Sequence, residues 1–374
     1  MLTVLFVSHV KDESLSNGGS VFSSSVVKLI NSAIPDIEIS ELYCLPSNPK
    51  VTKTFRKISS LLQSACSEFP AKVRYFYSRE FSERIQHELT VNEYDLVVLD
   101  HAEMLWVVDL LPRNVPVIHI SHNIEHCLYM QYVEKYNGWP VMGSMLKRDA
   151  VKYRQFERDK VREVGNLITI SCEDREFWNA LGAGMNVLAL NPSFDYSPVV
   201  RQRSAFQGGK VLLGFLGNME WWPNRDAVSW LSRYILPYLS IDYELHLFGL
   251  MSEHLGNGRN VIGHGFVDDI GMIWNAVDVM VNPIVTGAGV NVKVAEGIYN
   301  KMPMICTPLA IQGLSLAPDP SVVVMDTPEQ WIDFINTQGS LDKLVFCGEF
   351  PNADSFSFLR QTQKLQQFLA EVMC

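Results

Sequence analysis

Residues 282–308, NPIVTGAGVNVKVAEGIYNKMPMICTP, combine the end of an apolar strand, a glycine turn, a helix and a second strand. Gly287 and Gly289 let the backbone turn sharply and approach a ligand closely. The first amides of the helix that follows are unpaired and carry partial positive charge, so the turn is suited to an anion such as phosphate. Lys293 adds a full charge one turn into the helix, and Glu296 can accept hydrogen bonds from a sugar or ribose hydroxyl. The pattern indicates a nucleotide-sugar pocket, although such a Lys and Glu also occur as a solvated helix pair.

The segments before this stretch predict a βα-type half. Residues 210–231, KVLLGFLGNMEWWPNRDAVSWL, give an apolar strand, Gly217, a short loop and a helix that opens after Pro223. Further strands are predicted at 243–249, within 260–283 and at 302–308, with a helix inside 260–283. The strands are apolar throughout, as a parallel sheet that is buried on both faces requires. The sequence therefore predicts a Rossmann-like half.

The first half also alternates strands with helices. Strands are predicted at 2–9, 37–45, 94–100, 115–121, 166–171 and 186–192. One helix is predicted at 20–32, several within 54–89 and one at 147–164. This pattern predicts a second parallel sheet and an α/β fold class. The loop that contains Gly18 and Gly19 follows the first strand, at the edge where open α/β sheets bind ligands. An ordinary helix-capping turn is the alternative for this loop.

Composition limits the classes of function. The chain has 374 residues, 47% of them hydrophobic, and a formal net charge of −10. The length favours two or three domains, and the acidic balance argues against nucleic acid as a main partner. Seven scattered cysteines without a C-x-x-C pair indicate free thiols and a cytoplasmic protein. The N-terminal apolar run lacks a basic flank and is predicted to be a strand, not a signal sequence, and no run is expected to span a membrane.

Two local basic clusters lie in the first half. Residues 50–84 contain eight Lys or Arg and three Glu, and residues 147–162 contain seven Lys or Arg and three acidic residues. Such runs are usually solvated helix faces. The alternative is peripheral contact with an anionic membrane surface, at the inner face of the cell membrane.

Three segments in order carry a family resemblance: GFLGNMEWWPNRDAV (214–228), GFVDD (265–269) and the stretch 282–308. Together they resemble the nucleotide-binding half of GT-B glycosyltransferases, and they are most similar to the retaining family four, the glycosyl transferases group one. The resemblance implies two Rossmann-like parallel-sheet domains that face each other across a cleft. The expected limits are 1–192 for the acceptor-side domain, 193–209 for a linker that is rich in Pro, Ser and Gly, and 210–352 for the nucleotide-sugar-binding domain. Residues 353–374 should carry a helix that packs back on the first domain.

The resemblance also assigns donor-binding residues. In the family the last motif usually has two glutamates; Glu296 matches the second, and Ala288 stands in place of the first. The family's arginine and lysine after the first strand of this half are replaced by Asn218 and Met219, which leaves Lys293 as the preferred diphosphate contact and Arg225 as a weaker candidate. The predicted donor-binding residues are Gly18, Gly19, Gly217, Asn218, Arg225, Gly265, Phe266, Val267, Gly287, Ala288, Gly289, Val290 and Asn291.

The string His122-Asn123-Ile-Glu125-His126 fits the H-x-x-E-H pattern of some zinc proteases. That pattern needs a continuous helix, whereas here His122 directly follows a predicted strand, so we reject the zinc reading. A buried, hydrogen-bonded histidine is one alternative. The family resemblance implies another, in which His122 faces the donor sugar and Asn123 and Glu125 shape the loop.

The expected function is transfer of a sugar from a nucleotide-diphosphate sugar to a glycan or lipid-linked acceptor. Retention of configuration follows from the resemblance, with His122, Lys293 and Glu296 as catalytic residues. The sequence has no Asp-x-Asp triplet, and we expect no metal and no cofactor besides the nucleotide-sugar donor. A nucleotide-sugar epimerase and a non-catalytic glycan-assembly or binding protein are the alternatives, and Ala288 favours the latter.

Overall fold

The computed structural model describes residues 2–10, 18–44, 52–134, 138, 140–182, 184–200, 205–206, 209–287 and 289–373. Two units can be distinguished. The first contains Met1–Ser14, Val26–Leu190 and Thr362–Cys374, and the second contains Leu15–Ser25 and Asn191–Gln361. The described residues 18–25 and 353–361 therefore group with the second unit, whereas the prediction assigned residues 1–192 to the first domain and 353–374 to a helix that packs on it. A hydrogen bond from Ser25 Oγ to the Ser193 carbonyl, at 3.2 Å, is one contact that holds the former stretch there.

The first unit is built on a six-stranded sheet in the order β2-β1-β3-β4-β5-β6, and every strand pair is parallel. Between β1 and β3 the strand order changes direction. The strands are β1 (Leu2–Ser8), β2 (Ile37–Tyr43), β3 (Leu96–Asp100), β4 (Val117–Ser121), β5 (Asn166–Thr169) and β6 (Asn186–Ala189).

In the described part of this half, seven α-helices alternate with the strands. Three of them lie between Lys53 and Val91, because Pro70 and Ser78 each start a new helix as its N-cap. They are α1 (Gly18–Ala33), α2 (Lys53–Ser64), α3 (Ala71–Phe76), α4 (Arg79–Val91), α5 (Glu125–Glu134), α6 (Pro140–Val164) and α7 (Cys172–Ala180), and a 3-10 helix spans Ala102–Leu110.

The second unit has a six-stranded parallel sheet in the order β9-β8-β7-β10-β11-β12. Counted from β7, this is the 3-2-1-4-5-6 order of the Rossmann fold. The strands are β7 (Val211–Leu216), β8 (Tyr243–Phe248), β9 (Val261–Gly265), β10 (Val279–Asn282), β11 (Met304–Cys306) and β12 (Val322–Val324). The two parallel sheets confirm the predicted α/β fold.

The helices of the later part of the chain are α8 (Trp222–Trp230), α9 (Ile270–Ala276), α10 (Val292–Tyr299), α11 (Pro328–Asn336), α12 (Gln338–Val345) and α13 (Phe358–Val372). A π-helical turn, Leu231–Ile235, continues α8, and short 3-10 helices lie at Leu236–Tyr238, Ser252–Leu255, Pro308–Ala310 and Ala353–Phe356. Within the described ranges, no helix is both long enough and apolar enough to cross a bilayer.

Candidate functional site

The second unit offers a ligand site where its strand order reverses. Strands β7 and β10 are neighbours there, although β8 and β9 lie between them in the sequence. Ligands of open α/β sheets bind in the crevice outside the carboxyl ends of two such strands. Gly217 follows β7, and the turn with Gly287 follows β10, so the structure brings these two predicted donor-binding segments to one sheet edge.

The turn after β10 depends on its glycines. Gly287 and Gly289 have φ values of 121° and 83°, which side chains other than glycine rarely adopt. Ala288, between them, lies outside the described residues. Helix α10 begins three residues later at Val292, with Asn291 as its N-cap residue and with Val290 just before it. The Asn291 side chain donates to the Ala310 carbonyl at 3.1 Å and fixes the start of the helix.

Lys293 points its ammonium group into the protein. Its Nζ donates to Asn224 Oδ1 at 2.7 Å and lies 4.3 Å from the centroid of the Phe215 ring. Burial lowers the pKa of Lys293 to about 7. An amide oxygen carries only a partial negative charge, so the positive charge of Lys293 has no carboxylate among these contacts and suits an incoming anion.

Asn224 is a residue of this site that the sequence did not reveal. Its Nδ2 donates to the Asn218 carbonyl at 2.8 Å while its Oδ1 accepts from Lys293. A Cβ on Gly217 would lie 2.8 Å from the Asn224 side chain, so only glycine leaves room for it. The asparagine thus connects the loop after β7 with the lysine of α10.

Arg225 supports the loop after β7. Its guanidinium donates to the carbonyls of Met219 at 2.8 Å and of Glu220 at 3.0 Å. These two bonds hold the loop in which Asn218 lies. A direct donor contact of Arg225 stays a prediction.

Glu296 is also held inside the second unit. Its Oε1 accepts a hydrogen bond from the Tyr196 hydroxyl at 2.9 Å, and Asn300 donates to the same hydroxyl at 3.0 Å. Burial raises the pKa of Glu296 to about 7. Tyr196 lies in the segment before β7, where the sequence pattern predicted a linker.

The main chain of Gly265 already takes part in two hydrogen bonds. Its N–H donates to Ser252 Oγ at 3.0 Å, and its carbonyl accepts from the Gly249 N–H at 2.8 Å. Phe266 is exposed and Val267 is partly buried beyond the end of β9. A nucleobase contact at Gly265 to Val267 stays a prediction, with the amide of Gly265 already engaged.

Gly18 begins α1 close to the start of α10. A Cβ on Gly18 would lie 3.2 Å from Val292 Cγ2, so a larger residue would press on that helix. The carbonyl of Gly19 accepts from Ser23 Oγ at 3.2 Å, within the first turn of α1. Both glycines stay predicted donor-binding residues.

In the first unit, His122 lies where the sequence placed it, directly after a strand. Strand β4 ends at Ser121 and α5 begins at Glu125, so no continuous helix carries His122 and His126. The continuous helix that the zinc-protease pattern requires is therefore not formed between these two histidines. Instead, His126 Nδ1 lies 2.6 Å from Glu157 Oε2, and Glu157 also accepts from the Glu125 and His126 amides at the start of α5.

His122 belongs to a buried cluster around Asp100. His122 Nε2 lies 2.7 Å from Asp100 Oδ1, and Ser8 Oγ donates to Asp100 Oδ2 at 2.7 Å. The His101 ring stacks on the His122 ring at 3.9 Å, and His101 has a positive φ of 71°. Burial alone would raise the pKa of Asp100, but the two histidines outweigh it and hold that pKa well below its ordinary value. Asp100 thereby fixes the orientation of His122.

The same cluster is the set of described residues whose ligand atoms could hold a metal ion. The candidate atoms of Asp100, His101 and His122 lie within 4.8 Å of one another. The Asp100 carboxylate, however, already accepts from Ser8 and pairs with both rings. The geometry is that of a hydrogen-bonded network, and the expectation of no metal stays a prediction.

Next to this cluster, Lys72 organises the loop after β4. Its Nζ donates to Glu125 Oε2 at 2.6 Å and lies 3.9 Å from Glu103 Oε1. Asn123 Nδ2 donates to Glu125 Oε1 at 3.2 Å. Burial alone would lower the pKa of Lys72, but Glu125 and Glu103 raise it. Glu125 is thus placed to orient the loop, with Lys72 as a partner that the sequence did not indicate.

Known proteins resemble the chain in two ways: one family matches part of the second unit, and solved structures match the fold of nearly the whole chain. The family described as glycosyl transferases group 1 matches residues 210–337. No curated protein shows significant sequence similarity to the chain. Among solved structures, the chain is similar to sucrose-phosphate synthase from Thermosynechococcus elongatus, with a TM-score of 0.69, 12% identity and coverage of 100% of this chain and 99% of that one.

Two further structures share the fold. Anabaena HepE in complex with UDP and glucose gives a TM-score of 0.65 at 12% identity, over 99% of this chain and 100% of that one. WaaG, a glycosyltransferase involved in lipopolysaccharide biosynthesis, gives 0.63 at 14% identity, over 97% and 98%. The fold similarity extends over both units, whereas the family match lies within the second. Residues 210–337 thus match the glycosyl transferases group 1 family, and the solved structures show that the chain shares the GT-B fold.

Proposed function

We propose that the protein moves a sugar from a nucleotide-diphosphate sugar to a glycan or lipid-linked acceptor, with retention and without a metal ion, in the synthesis of a surface polysaccharide or glycolipid. The observation that carries the proposal is Lys293, a buried ammonium at the strand-order reversal of the second unit whose hydrogen-bond partner is an amide oxygen. A bound diphosphate would supply the negative charge that the free site lacks. The solved complexes of Anabaena HepE with UDP and with UDP-glucose make a uridine donor the first to test.

Charge stabilisation is the main catalytic effect in this proposal. Negative charge develops on the leaving diphosphate in the transition state, and Lys293 together with the amides of the 287–291 turn would stabilise it. Hydrogen-bond donors that the protein already holds in place need no rearrangement when the charge develops. Glu296 would accept hydrogen bonds from the ribose hydroxyls, either beside the bond from the Tyr196 hydroxyl or in its place.

His122 is the proposed sugar contact of the first unit. Asp100 holds the ring at Nε2, and Lys72 holds Glu125, so the loop after β4 is positioned before any sugar binds. Loss of a hydrogen bond to the reacting sugar would reduce turnover more than donor affinity. Asn123 and Glu125 act in this proposal as positioning residues of that loop.

A thermal-shift series with UDP, GDP, ADP and UDP-glucose, with and without EDTA, tests the donor site. We expect one nucleoside diphosphate to raise the melting temperature of the wild type, since a ligand that binds the folded state stabilises it by mass action. The shift should survive EDTA and disappear in Lys293→Ala. The control is Lys343→Ala, an exposed lysine of the same unit, which should keep the full shift.

Four outcomes count against parts of the proposal. A shift that EDTA abolishes would contradict the metal-free donor site, and a shift that Lys293→Ala retains would contradict the assignment of the diphosphate contact. Binding without sugar transfer to any glycan or lipid-linked acceptor would favour the binding-protein alternative, while conversion of the donor without an acceptor would favour the epimerase.

A further inference from the structure

A tyrosine from the stretch between β6 and β7 contacts the helix of the proposed donor site. Tyr196 lies in this stretch, after Ala189 and before Val211 in the sequence. The centroid of its ring lies 6.0 Å from that of Phe194 and 5.6 Å from that of Tyr299 on α10. The Tyr299 hydroxyl also donates to the Tyr196 carbonyl. Both the ring and the main chain of Tyr196 are therefore held against α10.

Asn300 determines the direction in which the Tyr196 hydroxyl donates. Asn300 Oδ1 accepts from the Val199 N–H at 3.0 Å, which identifies Nδ2 as the atom that faces the other way. This Nδ2 donates to the Glu296 carbonyl at 2.8 Å and to the Tyr196 hydroxyl at 3.0 Å. Because the hydroxyl oxygen accepts from Asn300, its own proton is given to Glu296 Oε1, 2.9 Å away. The three side chains thus form a directed chain of hydrogen bonds that ends on the carboxylate.

The hydroxyl of Tyr196 acts on the charge state of Glu296. Burial and the nearby Glu296 carboxylate raise the pKa of Tyr196, so the hydroxyl keeps its proton at neutral pH. Burial raises the pKa of Glu296 to about 7, and the hydrogen bond from Tyr196 opposes that rise. Without this bond, Glu296 would take up a proton at a higher pH.

The charged groups around this end of α10 are placed differently from Tyr196. Lys293, on the same helix, donates to an amide oxygen. Asp195 in the stretch before β7 and Asp354 in the 3-10 helix that packs against α10 are both exposed. Within the described ranges, Tyr196 is therefore the residue whose side chain donates directly to the Glu296 carboxylate.

We propose that Tyr196 is a positioning residue of the donor site, whose hydroxyl keeps the Glu296 carboxylate ionised and directed at the ribose of the donor. The inference rests on the proposed function, in which Glu296 accepts hydrogen bonds from ribose hydroxyls. Tyr196 holds Oε1, and an ionised carboxylate can accept at both of its oxygens, so the ribose binds beside the Tyr196 bond and not in its place. The stretch before β7 thereby controls donor affinity through Glu296.

Calorimetric titration of the full chain with UDP-glucose across neutral pH tests this role. Tyr196→Phe keeps the ring and removes the hydroxyl, and it should bind about tenfold more weakly on the acidic side of neutrality. The loss should shrink as the pH rises, because Glu296 then ionises without help. The matched control is Tyr299→Phe, which removes a hydroxyl of the same ring cluster that donates to a carbonyl and not to Glu296. This control should keep the pH profile of the wild type.

A double-variant comparison shows whether Tyr196 acts through Glu296. In a Glu296→Gln background, the further change Tyr196→Phe should alter the affinity for UDP-glucose little, since the carboxylate that the hydroxyl serves is gone. In steady-state kinetics, Tyr196→Phe should raise the donor KM and leave kcat nearly unchanged, because the ribose is remote from the bond that breaks. A merely structural defect would lower kcat as well.

The ionisation of Glu296 can also be followed without any donor. In protein that is isotope-labelled at its glutamate carboxyl carbons, the resonance that is missing from Glu296→Gln reports this group. Its titration midpoint should lie at higher pH in Tyr196→Phe than in the wild type, and Tyr299→Phe should leave it unchanged.

The inference is overturned if Tyr196→Phe leaves that midpoint where the wild type has it, or if Tyr299→Phe moves it as far. It is likewise overturned if Tyr196→Phe weakens the binding of UDP-glucose equally in the wild type and in Glu296→Gln. A midpoint that moves as expected in a protein that binds no nucleotide or nucleotide-sugar would contradict the proposed function instead, and would support the contact between Tyr196 and Glu296.

Discussion

Lys293 meets a neutral amide in the free protein and would meet a doubly charged diphosphate when a donor binds. Its partner Asn224 lowers the cost of burying the ammonium without neutralising it. A carboxylate in that position would form an ion pair and compete with the ligand. The amide therefore keeps the positive charge available, and the low pKa of Lys293 reflects how little the free site compensates that charge.

The paired pKa values of the site predict a bell-shaped pH dependence of donor binding. Lys293, with a pKa of about 7 in the free protein, must be protonated to attract the diphosphate, so affinity should fall as the pH rises above that value. Glu296, also with a pKa of about 7, must be ionised to accept from ribose hydroxyls, so affinity should fall as the pH drops below it. Calorimetric titration with UDP-glucose checks this, because its diphosphate does not titrate near neutrality.

Two variants separate the limbs of that profile. Lys293→Met should bind more weakly and lose the alkaline limb, and Glu296→Gln should lose the acidic limb. A wild-type affinity that is constant across neutral pH would contradict the coupling of binding to both groups.

The sequence predicted Lys293 and Glu296 because both lie on one short helix after a recognisable turn. Their partners could not be predicted in the same way. Asn224 is 69 residues from Lys293, and Tyr196 is 100 residues from Glu296. Such contacts arise from tertiary packing, and no local spacing of residue types indicates them.

At the scale of elements, the loops after β7, β8 and β9 are joined through their main chains. The Gly217 N–H donates to the Phe248 carbonyl at 2.9 Å, and the Gly249 N–H donates to the Gly265 carbonyl at 2.8 Å. These bonds fix the position of the segments that the sequence assigned to donor binding. A change in one of these three loops should therefore displace the other two.

Gly249→Ala should disturb that structure. Gly249 has a φ of 109°, and a Cβ there would lie 2.3 Å from the Gly217 carbonyl oxygen, which is backbone and cannot swing away. We expect a loss of roughly 2 kcal/mol or more in the free energy of unfolding and weaker donor binding. The control is Gly258→Ala, where φ is also positive, at 67°, but no atom lies within 4 Å. Denaturant unfolding that gave equal losses for both variants would contradict the steric argument.

Elements with a clear period or a continuous apolar run were predictable, and others were not. Every residue of β3 is buried, and its apolar run indicated a parallel strand. The 3-10 helix Ala102–Leu110 is almost entirely apolar, so neither the helical nor the strand period emerges from its sequence. Helix α2 was predicted as a helix within a basic cluster, but its orientation depends on Asp149, a distant residue that accepts a hydrogen bond from Ser64.

At the scale of the whole molecule, the first unit takes part of its core from the far end of the sequence. Leu365, Phe368 and Leu369 of α13 are buried, and residues from Thr362 onward group with the first unit. Gln366 Nε2 donates to the Ala33 carbonyl at the end of α1 at 3.2 Å. The predicted return of residues 353–374 to the first domain stays a prediction; residues 353–361 group with the second unit and residues from Thr362 onward with the first.

Phe368→Ala should therefore destabilise the protein although it lies far from both candidate sites in sequence. Removing a buried phenylalanine side chain typically costs about 3–5 kcal/mol through lost burial and the cavity left behind. Gln367→Ala, an exposed neighbour on the same helix, should leave stability nearly unchanged. Thermal unfolding of both variants checks this, and similar melting temperatures for the two would show that α13 adds little to the core.

The position of α13 also affects the order in which the protein can mature on the ribosome. Synthesis runs from the N-terminus, so residues 26–190 leave the ribosome well before residues 362–372 exist. The second unit, by contrast, has its whole stretch 191–361 before α13 is finished. The unit that is synthesised first therefore completes its core last. Its nascent form exposes an apolar surface until α13 has been made.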